Sequence, residues 1–270
     1  MILVNGGVSD NVTVSDRGLA YGDGVFRTLP VHRGRPAAWR YQLRRLEHDC
    51  RALGIPCPAE TILHAEVGRV SEGQRECAVK IIVTRGPGQR GYAPPREPQP
   101  SHIVMSVPLP VYPDEYTESG IKARLCSLRL GLQPRLAGIK HLNRLENVLA
   151  RQEWDDPYIA EGVLLDAEGN VIGGTMTNLF VVQNGSLATP DLTRCGVAGA
   201  TRDRVFAYAA ARGAACRVSP LRLNEVLQAD EVFLANSLIG IWQVCELADR
   251  SWAPGAVTRQ IRRWLDEESD

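Results

Sequence analysis

Seven of the chain's seventeen prolines fall between Gly91 and Glu115, in GYAPPREPQPSHIVMSVPLPVYPDE. Each proline removes a backbone donor and fixes φ, so no long helix crosses this stretch and any sheet ladder is interrupted. A loop and a linker are expected there. At 270 residues the chain is long for one core, and the expectation is a mixed α/β fold in two domains, residues 1–110 and 121–270, joined by a linker over 111–120.

Within the first part, VTVSDRGLAYGDGVFRTLPV reads as strand-rich around a tight GDG turn, RYQLRRLEHDCRALGI as a helix and CAVKIIVTR as a buried strand. In the second, IKARLCSL reads as a strand. DAEGN then reads as the turn of a hairpin joining EGVLL to one long strand, VIGGTMTNLFVV. CGVAGATRDRVFAYAAARG gives a glycine-rich loop feeding a helix that stops at Gly213, and DEVFLANSL a late strand.

Lysine plus arginine balance aspartate plus glutamate at 31 each, so no global field recommends a nucleic acid or an anionic membrane as partner. Small-molecule substrates fit better. Apolar runs such as GVLL and LFVV fall far short of the ~20 residues of a membrane helix, and MILVNGG has neither a charged leader nor an apolar signal core. The expectation is a cytoplasmic protein. Seven cysteines without a C-x-x-C pair argue against a disulfide framework, and five histidines without H-x-H or H-E-x-x-H spacing give no metal motif.

Chemistry concentrates in four places. In GIKHLNRLENVL, Leu142, Leu145 and Leu149 recur at helical spacing and are expected to face a core, with Lys140 at the mouth of that helix. GPGQRG, Gly86 to Gly91, matches G-x-G-x-x-G, yet Pro87 sits in the turn and YAPP follows where a helix would begin, so a dinucleotide fold is not expected. What remains is a mobile loop carrying Arg85, Arg90 and Tyr92, suited to a carboxylate or simply solvated. GVAGATR, Gly196 to Arg202, can converge backbone N–H groups on a phosphate or be only a helix entry. Arg45 lies off the Leu43, Leu46, Cys50, Leu53 stripe of its helix, as an anion ligand or a solvated side chain.

A lysine, a phosphate-sized cradle and an extra arginine are the needs of pyridoxal phosphate chemistry. Their order, with VSDRGLAYGDGVFRT, QLRRLEHDC, TRGPGQRGY, AGIKHLNRLENVL, TNLF, GVAGATR and LQADEVFLANSL, resembles the fold-type IV pyridoxal-phosphate enzymes, the group of branched-chain and D-amino-acid transaminases. AGIKHLNRLE points within that group to the lyase branch, which acts on 4-amino-4-deoxychorismate. The resemblance implies two α/β domains with pyridoxal 5'-phosphate between them, residues 121–270 being the cofactor-binding domain, and a homodimer. It makes Lys140 the Schiff-base lysine and proton carrier. Arg45, the backbone at Ala200 and Thr201, Asn236 and Ser237 would hold the phosphate, and Phe26, Thr28, Arg90 and Tyr92 would line the substrate pocket. The implied reaction expels pyruvate and releases 4-aminobenzoate, a folate precursor.

One position departs from the family. Five residues before Asn178, where the resemblance implies a glutamate at the pyridine nitrogen, this chain has Gly173. A carboxylate there keeps the ring an electron sink, and glycine cannot. Glu161 and Glu168 are the nearby acids in sequence. Three readings follow: a lyase that tolerates a poorer sink because aromatisation favours its step, a transaminase, which needs the sink more, and a cofactor-binding protein without catalysis.

Overall fold

The computed structural model describes residues 1–268 and divides the chain into two compact units. The first comprises Met1–Pro110 together with Ile139–Asn143, and the second Val111–Gly138 with residues 144–268. Val111–Gly120, read from sequence as a linker, lies in the second unit, where Tyr112 and Tyr116 set their rings edge-on against Trp242.

The first unit is built on β1 (Ile2–Val4), β2 (Gly7–Val8), α1 (Arg17–Tyr21), β3 (Gly24–His32), β4 (Arg35–Pro36), α2 (Trp39–Leu53), α3 (Glu60–Ser71), β5 (Glu76–Thr84) and β6 (Ser101–Val107). The sheet order is β2-β1-β6-β5-β3-β4. The proline-rich stretch, expected to be loop, holds β6, which fits between Pro100 and Pro108 and pairs with β5 from Ser101 to Val107. Residues 17–21, expected as strand, form α1 instead. Asp16 accepts the Gly18 N–H at 2.7 Å, and Gly22 closes the helix at φ 65°, a cap–glycine pair that favours a helical turn.

The expected helix appears as α2, with Leu43, Leu46 and Cys50 buried against Val25, Leu29 and Val31 of the β3 face. Gly54 ends it at φ 64°, where a side chain would be strained. Arg85 donates to the Leu53 and Gly54 carbonyls at 2.7 and 2.8 Å and supplies the positive charge that a helix C-terminus favours.

The second unit contains α4 (Glu115–Glu118), β7 (Ile121–Leu130), α5 (Leu145–Arg151), β8 (Ile159–Asp166), β9 (Val171–Gly174), β10 (Asn178–Gln183), β11 (Ser186–Pro190), α6 (Ala200–Ala211), β12 (Cys216–Ser219), α7 (Leu223–Gln228), β13 (Glu231–Asn236), β14 (Gly240–Leu247), β15 (Arg250–Ser251) and α8 (Ala256–Glu267). Its strands run β12-β11-β10-β13-β14-β7-β8-β9, with β15 on β14. The single strand expected over 171–182 is two: β9 pairs with β8, the chain turns at 175–177, and β10 pairs with β13. Among the described residues no helix is long and apolar enough to cross a membrane.

Candidate functional site

Lys140 lies five residues before α5, not at its mouth. It belongs to a short extended segment on the edge of β3 that β4, paired only at Val31 and His32, leaves open. His141 bridges Val25, the Phe26 N–H donates to the Lys140 carbonyl at 3.0 Å, and the Leu142 N–H to the Gly24 carbonyl at 3.0 Å. The lysine's own N–H donates to Asp49 Oδ2 at 3.0 Å, so the peptide units on both sides of it are held. Nζ stands 4.5 Å from the centre of the Phe26 ring, and Lys80 Nζ stands 5.1 Å from the same centre. Both are cation–π distances.

Alternation along β3 explains which side chains share this place. Phe26 and Thr28 lie on its half-buried face, whereas Val25, Arg27, Leu29 and Val31 point into the core. Arg27 is thus a charge on an apolar face. Its Nη2 donates to Asp49 Oδ2 in a short contact and to the Arg45 carbonyl at 3.3 Å. Arg45 is half-buried on the same helix as Asp49. Sequence reading missed Lys80, Arg27 and Asp49. For Lys80 and Arg27 the available signal was a charge inside an apolar strand, as in AVKIIV and VFRTLPV.

The 85–92 loop is tethered rather than loose. Arg17 donates to the carbonyls of Gly91 and Tyr92, both at 3.0 Å, and Tyr21 Oη accepts the Gly91 N–H at 3.1 Å. Arg90 and the Tyr92 side chain remain exposed, Tyr92 at 86%. Arg85, grouped with them from sequence, is buried and engaged elsewhere, pairing with Asp23 at 2.8 Å and with the end of α2. Desolvation pushes the Asp23 carboxyl up, but hydrogen bonds from Arg85 and Arg17 and their charges outweigh it, and the group lies below its ordinary value.

In the second unit the glycine-rich loop delivers α6. A Cβ at Gly199 would lie 2.5 Å from Asn178 Oδ1, which accepts the Gly199 N–H at 3.0 Å, so glycine lets that side chain close on the helix entry. No side chain caps the helix, and the buried Ala200 and Thr201 occupy its first turn, the arrangement that receives anions. Asn236 ends β13, and its Oδ1 accepts the N–H groups of Leu238 and Ile239 at 2.8 and 3.0 Å. Ser237 lies inside that turn. Asn236 also donates Nδ2 to the Met176 carbonyl at 3.2 Å, joining its turn to the 175–177 turn.

Gly173 sits in β9 opposite Leu164. Neither acid considered from sequence is open to a ligand. Glu161 is 1% exposed, and its two oxygens accept from the N–H groups of Gly162, Thr175 and Met176 and the hydroxyls of Thr175 and Thr177. Burial pushes this carboxyl above the usual carboxylate range against the pull of those donors. Glu168 pairs with Arg194 at 2.5 and 2.7 Å on an exposed turn.

The leucine stripe of α5, expected to face a core, does not. Leu142 is half-buried, but Leu145 and Leu149 are 75% and 55% exposed, and Val148 is also exposed. Beside it lies an apolar recess of about 520 Å³ lined by Val148, Trp154, Thr175 and Met176 among others.

Three proteins place this arrangement among known ones. The aminodeoxychorismate lyase of Vibrio harveyi is 36% identical over 242 residues, covering 89% of either chain. The crystal structure of 4-amino-4-deoxychorismate lyase from Pseudomonas aeruginosa is 43% identical, with a TM-score of 0.94 over 99% of both chains. D-alanine aminotransferase of Bacillus licheniformis is 25% identical over 98% of this chain and 95% of its own. The amino-transferase class IV family matches residues 24–247, a span that includes Phe26, Arg45, Lys140, Gly173, Thr201 and Asn236, and the chain belongs to that pyridoxal-phosphate-dependent family.

Proposed function

We propose that this protein is a lyase that eliminates pyruvate from 4-amino-4-deoxychorismate and leaves 4-aminobenzoate, a step in folate synthesis. The observation that carries the reading is the pair of amines at one ring. Lys140 and Lys80 stand 4.5 and 5.1 Å from the centre of Phe26, one amine for chemistry and one cation for a carboxylate of a flat substrate. The two lyases, at 36% and 43% identity, support it over the aminotransferase at 25%.

The uncapped start of α6, with Gly199 where any Cβ would strike Asn178, fits the phosphate of pyridoxal 5'-phosphate. Ala200 and Thr201 would hold it through their N–H groups, with Asn236 shaping the turn that presents Ser237, and for Arg45 the phosphate role is the one that the family resemblance implies. Bound, the cofactor draws electrons from the carbon bearing the substrate's amine and so acidifies its C4 proton. Lys140 would anchor the cofactor and, as a neutral amine, would serve as the base that takes that proton. The held peptide units on either side of Lys140 keep its side chain directed along Phe26. Pyruvate leaves as the ring becomes aromatic. Phe26 and Thr28 line the ring, and Lys80, Arg90 and Tyr92 serve the carboxylate end.

A second copy of the chain is our reading of what covers Leu145, Val148 and Leu149, and the cytoplasm our reading of its location. An exposed apolar helix face supports the first, and seven free thiols the second.

Purified protein supplied with pyridoxal 5'-phosphate and aminodeoxychorismate, and with no added amino-group acceptor, is expected to form 4-aminobenzoate and pyruvate in equal amounts. Amino transfer to 2-oxoglutarate with no 4-aminobenzoate would make the protein a transaminase. Retained cofactor with neither product would leave a binding protein, as Gly173 alone suggests.

A further inference from the structure

We infer that Asp49, held by Arg27, is a positioning residue for Lys140. The inference rests on Lys140 being the reactive lysine.

The pair is placed where an apolar pair would be cheaper. Arg27 shares the core face of β3 with Val25, Leu29 and Val31, and Asp49 follows Leu46 by three residues on the buried side of α2. Their side chains are 2% and 0% exposed. Removing two charges from water costs more than their attraction commonly returns, and well-packed apolar replacements are often at least as stable. Stability therefore gives this pair little reason to exist. Its connections give one. Asp49 Oδ2 receives Arg27 Nη2 and, at 3.0 Å, the Lys140 N–H, while Nη2 of Arg27 also donates to the Arg45 carbonyl at 3.3 Å. One carboxylate oxygen and one guanidinium nitrogen thus tie the lysine's peptide to the helix that carries Arg45. With the Phe26 N–H on the Lys140 carbonyl, the peptide units on both sides of Lys140 are held, and its side chain leaves toward the Phe26 ring.

Asp49→Ala alone strands a buried guanidinium and can fail to fold. The informative comparison is between two double variants that carry no charge at either position. Arg27→Met with Asp49→Ala leaves the Lys140 N–H without its acceptor, whereas Arg27→Met with Asp49→Asn restores an amide oxygen there. The first is expected to lower kcat by roughly ten- to a hundredfold with KM within about twofold, the pattern of a misaligned reacting group. It should also slow, by a similar factor, the borohydride-trapped attachment of pyridoxal phosphate to Lys140 in the apoprotein. The second should return both rates to within about threefold of the parent, with a melting temperature no lower than the parent's.

Equal kcat and equal attachment rates in the two doubles would overturn the inference, as would losses that only track the folded fraction. If borohydride instead fixes the cofactor to another lysine in the parent, the assignment of Lys140 fails, a result separate from either comparison.

Discussion

A Cβ on Gly173 would stand 2.7 Å from the carbonyl oxygen of Thr177, which already accepts the Gly174 N–H at 2.8 Å. The 173–177 turn has closed to a spacing that only glycine allows. Adding a side chain must move that carbonyl, at a cost of roughly 1–3 kcal/mol for overpacking.

Gly173→Glu and Gly173→Ala therefore separate strain from chemistry. Both are expected to lower the melting temperature. Only the glutamate should raise lyase turnover, by roughly tenfold or more, because a carboxylate at the pyridine nitrogen would stabilise charge developing in the transition state. Thermal melts with steady-state kinetics on the three proteins provide the check. Equal kcat in all three would mean that the nitrogen needs no acid at this position.

Glu161 organises the same turn from beneath. Two hydroxyls and three N–H groups converge on it, so Glu161→Gln turns one acceptor oxygen into a donor facing other donors. The expected loss is roughly 1–3 kcal/mol of stability, the cost of buried unsatisfied polar groups, read as a lower urea midpoint. Turnover per folded molecule should change little. Unaltered stability with abolished turnover would instead put this carboxylate in the reaction.

Much of this was legible in the chain, and two of the failures come from contacts distant in sequence. The Leu43, Leu46, Cys50 stripe gave α2 because those residues face one core at helical spacing. The uncapped GVAGATR entry to α6 was readable for the same local reason. VIGGTMTNLFVV misled because nothing local breaks it; the break comes from Glu161 drawing in Thr175, Met176 and Thr177 across 14 to 16 residues. Lys140 stood out in its string, but Asp49, 91 residues earlier, is its partner only in three dimensions. Asp16 and Gly22 did carry a helix signal, which alternating residues around them hid.

The α5 stripe was misread for a different reason: its spacing was right, and its burial is not supplied within the chain. Leu145→Asp with Leu149→Asp is expected to convert a dimer to monomer in sedimentation equilibrium while the melting temperature of the monomeric form stays near the parent's, since both side chains are exposed. A parent that already sediments as a monomer at tens of micromolar would remove the second copy as the cover for this face.

Asp23 links acid stability to the loop that carries Arg90 and Tyr92. It accepts Arg17 Nε at 2.9 Å and Arg85 Nε at 2.8 Å, and Arg17 in turn holds the Gly91 and Tyr92 carbonyls. Its folded pKa is depressed, so the stability it contributes is fully present above the unfolded value, ~3.9 for an aspartate, and is lost as pH falls through the lower folded value. Asp23→Asn should flatten that acid limb in a plot of urea midpoint against pH. At neutral pH it strands two poorly exposed arginines, with side chains 5% and 11% exposed, for an expected cost of about 3 kcal/mol. Arg17 then loses the anchor that orients it, and the loop bearing Arg90 and Tyr92 loosens. If Arg90 and Tyr92 bind the substrate as proposed, KM for aminodeoxychorismate should rise several-fold, with kcat changed less. A variant with the parent's KM and a flattened acid limb would confine Asp23 to stability, and Arg90 and Tyr92 would lose their place in the substrate site.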